Sequence, residues 1–166
     1  MQFQKITEED LPTFKAIIKK GYMQAYENKF GKSAEDIINN CDIEDIFVGY
    51  AWAFQAVEGD DLAGGIIMEY VPGQDCAHYR LSFAIEPFDS NAVYDFMIDE
   101  LEKQYPEVKC WIGYAAKTDI HAIQFFKRRG FRVQKYISDQ GLYPNFMIDH
   151  SASKEKNYAK LVKTII

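Results

Sequence analysis

Three side chains in strand-like stretches have the chemistry of proton transfer: Glu69, His78 and Tyr114. A carboxylate or an imidazole can take a proton from a nucleophile, and a phenol can give one to a leaving group. Each stands where residues alternate between two faces, so the register of the sheet decides whether they meet. Cys76 and His78 are two apart on one strand and can share a face, as a metal site or a thiol–imidazole nucleophile requires. No third ligand stands beside them, and a tetrahedral site takes three or four protein ligands, so no metal is expected. Cys41, Cys76 and Cys110 are an odd number of well-separated cysteines. They read as reduced, mostly buried thiols rather than a disulfide framework.

The elements that must position these residues follow from periodicity. Phe3 to Ile6 reads as a short strand, and Thr7-Glu-Glu-Asp10 opens a helix that carries Leu11, Phe14, Ile17 and Ile18 to about Tyr26. Ser33-Ala-Glu-Asp36 has the form of a capping box for a second helix to about Asn40. Tyr22, Tyr26 and Phe30 are near helical spacing and read as packing residues. Tyr50 to Val57 and Leu62 to Val71 form two strands around the turn Glu58-Gly-Asp-Asp61. Pro72-Gly73-Gln-Asp75 turns the chain into a third, Ala77 to Ile85, which completes an antiparallel meander.

Val93, Phe96, Met97 and Leu101 then give an amphipathic helix that ends before Pro106, and Val108 to Ala115 reads as a buried strand. Thr118 or Asp119 caps a further helix with Ile120, Ile123, Phe125 and Phe126, which Gly130 stops. Phe131 to Ile137 and Asn145 to Ile148 read as the closing strands. In the lysine-rich segment from Ser151 to Ile166, the residues Tyr158, Leu161, Val162, Ile165 and Ile166 fall on a helical stripe. The expected division is one domain over residues 1–150 followed by a tail or helix over 151–166 that packs on it.

Composition narrows the function classes. The 166 residues are 48% hydrophobic and 15% aromatic, enough apolar surface for a single-domain core. A net charge of −6 gives no general attraction to nucleic acid or an anionic membrane. No stretch approaches the roughly 20 apolar residues of a membrane span, and Met1 to Asp10 lacks the apolar run of a signal peptide, so a cytoplasmic protein is expected.

Two short segments have anion chemistry. Asp89, Ser90, Asn91 and Ala92 precede and open the second amphipathic helix: Asp89 or Ser90 can cap it, while the first amides of Ser90, Asn91 and Ala92 can form an anion nest. Lys127, Arg128 and Arg129 are a basic run at a helix C-terminus, where they complement the dipole. Asp95, Asp99 and Glu100 form the wet face of a helix, or an acidic surface that would attract a cationic amine.

The inferred order β, α, α, β, β, β, α, β, α, β, β resembles the GNAT acetyltransferases over nearly the whole chain. The most specific local match is Asp119-Ile-His-Ala-Ile-Gln-Phe-Phe-Lys-Arg-Arg-Gly-Phe131, which is similar to that family's run of Asn, two residues, Ala, an aromatic pair, a basic residue and Gly-Phe. The resemblance implies an α+β fold with a mostly antiparallel twisted sheet of about seven strands, about four helices, and the fourth and fifth strands splayed. It implies acetyl-CoA or another acyl-CoA as cosubstrate, with its pantetheine arm along the backbone of Phe83, Ala84 and Ile85. Its diphosphate would lie at the amides of Ser90, Asn91 and Ala92, with Asp119 and Phe126 of the matching run nearby.

On that reading Glu69 or His78 would deprotonate the amine of a small molecule or peptide. The sequence departs from the family in two places. The loop Phe88-Asp-Ser-Asn-Ala-Val-Tyr94 has no glycine and no basic residue, and Asp89 would repel a diphosphate. Phe126 stands where many relatives carry a proton-donating tyrosine, so Tyr114, Tyr79 or Tyr94 substitutes, water protonates the thiolate, or no transfer occurs. The rival reading is therefore a silent GNAT-like domain that binds a metabolite or protein. A third is a homodimer formed through the tail after Ser151.

Overall fold

The computed structural model describes residues 1–17 apart from 8 and 15, residues 51–138 apart from 72, and residues 156–165. Among them lie seven strands, β1 (Gln2–Lys5), β2 (Ala51–Glu58), β3 (Asp61–Tyr70), β4 (Cys76–Ala84), β5 (Cys110–Ala116), β6 (Arg132–Ile137) and β7 (Tyr158–Thr164), and two helices, α1 (Ser90–Gln104) and α2 (Ile120–Arg128). Residues 11–14 begin a further helix. The rest of that helix, the expected helix from Ser33, the aromatics Tyr22, Tyr26 and Phe30, and the expected strand at Asn145 to Ile148 lie outside the described residues.

The strands form one sheet in the order β1-β2-β3-β4-β5-β7-β6. Every pairing is antiparallel except β4 with β5. The β2–β3 hairpin closes as the sequence predicts: Glu58 pairs with Asp61, and Gly59 takes a φ of 62°, the left-handed conformation that a tight hairpin turn assigns to glycine. This is an α+β fold with a mostly antiparallel sheet.

The closing segment departs from the expectation of a tail or helix. It is strand β7, inserted between β5 and β6 and antiparallel to both. Its apolar residues resemble a helical stripe because an interior strand can bury both faces: Ala159 and Leu161 are fully buried on one side, and Val162 is buried on the other. Spacing alone does not separate these two environments.

Both helices pack on one face of the sheet. Asp89 caps α1, its Oδ1 accepting from the Ala92 N–H at 2.9 Å, and Val93, Met97, Ile98 and Leu101 turn the buried stripe of this helix onto the strands. Gly64 lets β3 approach α1, since a Cβ there would lie 2.7 Å from Val93 Cγ1. Asp119 caps α2 through the Ala122 N–H at 3.1 Å. At its far end Gly130, with φ 91°, donates to the Lys127 carbonyl, and the Phe131 N–H donates to the Phe126 carbonyl. That bond pair is a glycine-ended stop that returns Phe131 to the core. No described helix is long and apolar enough to cross a membrane.

Candidate active site

The site begins with a gap in the sheet. Parallel pairing of β4 and β5 covers three residue pairs, Cys76 with Cys110, Ala77 with Trp111 and His78 with Ile112. Beyond them the two strands part, although β4 runs on to Ala84 and β5 to Ala116. Ile85 donates to the Ala63 carbonyl at 2.8 Å. By alternation the amides of Phe83 and Ile85 therefore serve β3, and that of Ala84 turns toward the gap.

A bulge in β4 decides what faces the gap. Ile67 pairs with Leu81, yet the next residue, Met68, pairs with Tyr79, so Arg80 is the extra residue. The insertion reverses the alternation along β4, putting His78 and Phe83 on one face where a regular strand would separate them. The opposite face carries Tyr79, stacked on Trp111 at 5.1 Å between ring centroids.

On the face away from α1 and α2 the sheet brings together all three predicted acid–base residues. Glu69 and His78 are direct cross-strand partners. Their side chains therefore stand about 5 Å apart at Cβ on one face. Tyr114 lies two residues beyond Ile112, the partner of His78, and its Oη comes within 3.4 Å of His78 Nδ1 with the rings stacked at 6.2 Å and 11°. All three are half-buried, so they are shaped by the fold and still reachable. Sequence reading missed a fourth member: Lys160 of β7 is the cross-strand partner of Tyr114 and so shares this face. The signal was absent because its segment reads as a helix until its register is known.

The other expected residues scatter around the gap. Phe83 is buried and its ring packs on Phe14 and over Gly65. Ile85 uses its N–H on Ala63 and its carbonyl on the Phe88 N–H. Ser90, Asn91 and Ala92 form the exposed first turn of α1, with the Ala92 amide held by Asp89. Asp119 serves as the cap of α2. Phe126 lies over Gly113 on the helix side, where a Cβ on the glycine would stand 2.8 Å from its ring.

The tyrosines separate by environment. Tyr79 is buried with no hydrogen-bond partner for its hydroxyl among the described residues, and burial first, then the nearby Glu102, raises its pKa well above the usual phenol value. Tyr94 on α1 packs edge-on to Phe125, its hydroxyl against the Ala84 backbone, and burial raises its pKa as well. Among the tyrosines considered as proton donors, Tyr114 is the one placed beside His78.

The basic run divides too. Lys127 and Arg128 are exposed, whereas Arg129 turns inward to pair with Asp95 at 2.7 Å and with Asp99, joining the end of α2 to α1. Those carboxylates thus serve a helix–helix contact. Among the described residues no group of three or more His, Cys, Asp or Glu side chains could hold a metal ion.

A parted parallel pair within a mostly antiparallel sheet, with α1 and α2 packed on one face, is the fold of the GNAT N-acetyltransferases. Solved structures with this fold include the aminoglycoside 6'-N-acetyltransferase from Enterococcus faecium, at 15% identity over 100% of this chain and 98% of that one, with a TM-score of 0.66. The PaiA N-acetyltransferase from Thermoplasma acidophilum, solved in complex with coenzyme A, matches at 14% identity over 98% of each chain with a TM-score of 0.68. The ribosomal-protein-S18-alanine N-acetyltransferase from Escherichia coli matches at 17% identity over 99% of this chain and 93% of that one, with a TM-score of 0.59. No family model matches the chain, and no curated protein matches it.

Proposed function

We propose that this protein transfers an acetyl or related acyl group from an acyl-CoA thioester to the amine of a small molecule or peptide. The observation that carries this reading is the joining of Glu69, His78 and Tyr114 on one face, at the point where β4 and β5 part. In direct attack the acceptor amine must lose a proton and the departing thiolate must gain one. On this reading His78, with Glu69 across the strand pair, takes the first. Tyr114 gives the second and recovers it through its contact with His78 Nδ1.

Substrate binding rests on backbone groups. The Ala84 amide faces the gap and can bond to a pantetheine carbonyl, and the amides of Ser90 and Asn91 open α1, where a helix N-terminus favours phosphate. These groups suit the ligand in kind, while Asp89 places a negative charge where a diphosphate would lie.

The test is amine-dependent release of CoA thiol from acetyl-CoA across a panel of polyamines, aminoglycosides and peptides, with the acceptor product identified by mass. Saturable release and an acetylated amine are expected. Calorimetric titration with acetyl-CoA and CoA that gives no heat, together with no release, would overturn the reading in favour of a non-catalytic binding domain. That second reading is favoured by Asp89 at the Ala92 amide and by the unreactive Phe126 over Gly113.

A further inference from the structure

Cys76 and Cys110 lie far apart in sequence, yet they are the first residues of β4 and β5 and face each other in register. Register partners of parallel neighbours point to the same side of the sheet, and adjacent strands lie about 4.8 Å apart. That spacing falls within the roughly 4.4–6.8 Å between Cα atoms that a disulfide spans. Both thiols are free and half-buried, so a small oxidant can reach them.

From this juxtaposition we infer that Cys76 and Cys110 form a dithiol that is oxidised by a peroxide to a disulfide, bridging the paired end of the β4–β5 gap. Burial, and then the neighbouring Cys76 thiol, pushes the Cys110 pKa up to about 12. One of the two thiols, as its thiolate, attacks a peroxide oxygen; the S–O bond forms, the O–O bond breaks, and hydroxide leaves to be protonated to water. The sulfur of the other thiol then attacks that sulfur, the S–S bond forms, the S–O bond breaks, and the departing hydroxide takes the second thiol's proton as a second water. Two thiols lose two electrons in total, and one peroxide becomes two waters. Cys76 precedes His78 by two residues on the same face, so the bridge would fix the closed end of the candidate site.

The experiment exposes the full-length protein to hydrogen peroxide, blocks remaining thiols with iodoacetamide and maps the peptides by mass. A peptide pair joined through Cys76 and Cys110, lighter by two hydrogens and separated again by dithiothreitol, is expected in the wild type and in Cys41→Ser. In Cys110→Ser and in Cys76→Ser the joined pair should be absent and the remaining cysteine should accumulate a dimedone-reactive sulfenic acid. Both thiols remaining alkylatable in the wild type, or each being oxidised separately to a sulfinic acid, would overturn the proposal.

Discussion

The two ends of the β4–β5 gap are built differently. At the closed end three residue pairs fix the strands, and the side chains gathered there are half-buried groups able to exchange protons, His78 and Tyr114 with Glu69 across β3. At the open end the chain turns its own side chains onto the groups a cosubstrate would use, with the Asp89 carboxylate on the Ala92 amide and the Tyr94 hydroxyl against the Ala84 backbone. On the proposed function, chemistry and affinity would be set by separate parts of this fold. Strand register brings the candidate acid–base groups together, and the opening turn of one helix presents the candidate phosphate-binding amides.

The sharpest way to break this comparison is His78→Ala. Removing a positioned acid–base group typically lowers turnover by about 10²–10⁴-fold, and here the loss should appear in kcat with little change in KM for acetyl-CoA. An equal loss in KM would place His78 in binding instead. Gly113→Ala tests the region where the strands part: its Cβ would meet the Phe126 ring at 2.8 Å. Overpacking of this kind costs about 1–3 kcal/mol, read as a lower denaturant midpoint, and an unchanged midpoint would show that Phe126 moves aside freely.

Asp89→Asn addresses the open end with a smaller effect. Asparagine keeps the cap of α1, while the lost charge removes a repulsion of about 1 kcal/mol in solvent. CoA affinity should rise about fivefold by titration, and pantetheine affinity should stay unchanged because it carries no diphosphate. A fall in CoA affinity would mean that Asp89 supports the site. Tyr94→Phe should be the mildest. Freeing the Ala84 amide is worth about 0.5–1.5 kcal/mol, so pantetheine binding should tighten a fewfold, and weaker binding would make the hydroxyl a ligand contact.

Much of this was legible in the residues. The β2–β3 turn at Gly59, the caps Asp89 and Asp119, the stop at Gly130 and the stripe Val93, Met97, Leu101 all follow from local chemistry, because each depends on neighbours within a few positions. The closing strand was not, since Leu161 and Val162 bury opposite faces and so imitate a helix. Glu69, His78 and Tyr114 could be named as candidates but not brought together.

What the sequence by itself determined is the inventory: which residues can move protons, which turn must hold glycine, where helices start and stop, and that the chain is too acidic to seek phosphate broadly. What only the tertiary structure decided is convergence. Arg80, inserted as a bulge, reverses the alternation of β4, and β7 enters between β5 and β6 to set Lys160 beside Tyr114. Both are matters of register between segments distant in sequence. Register is fixed by what the two faces of a sheet bury, and no single strand carries that information.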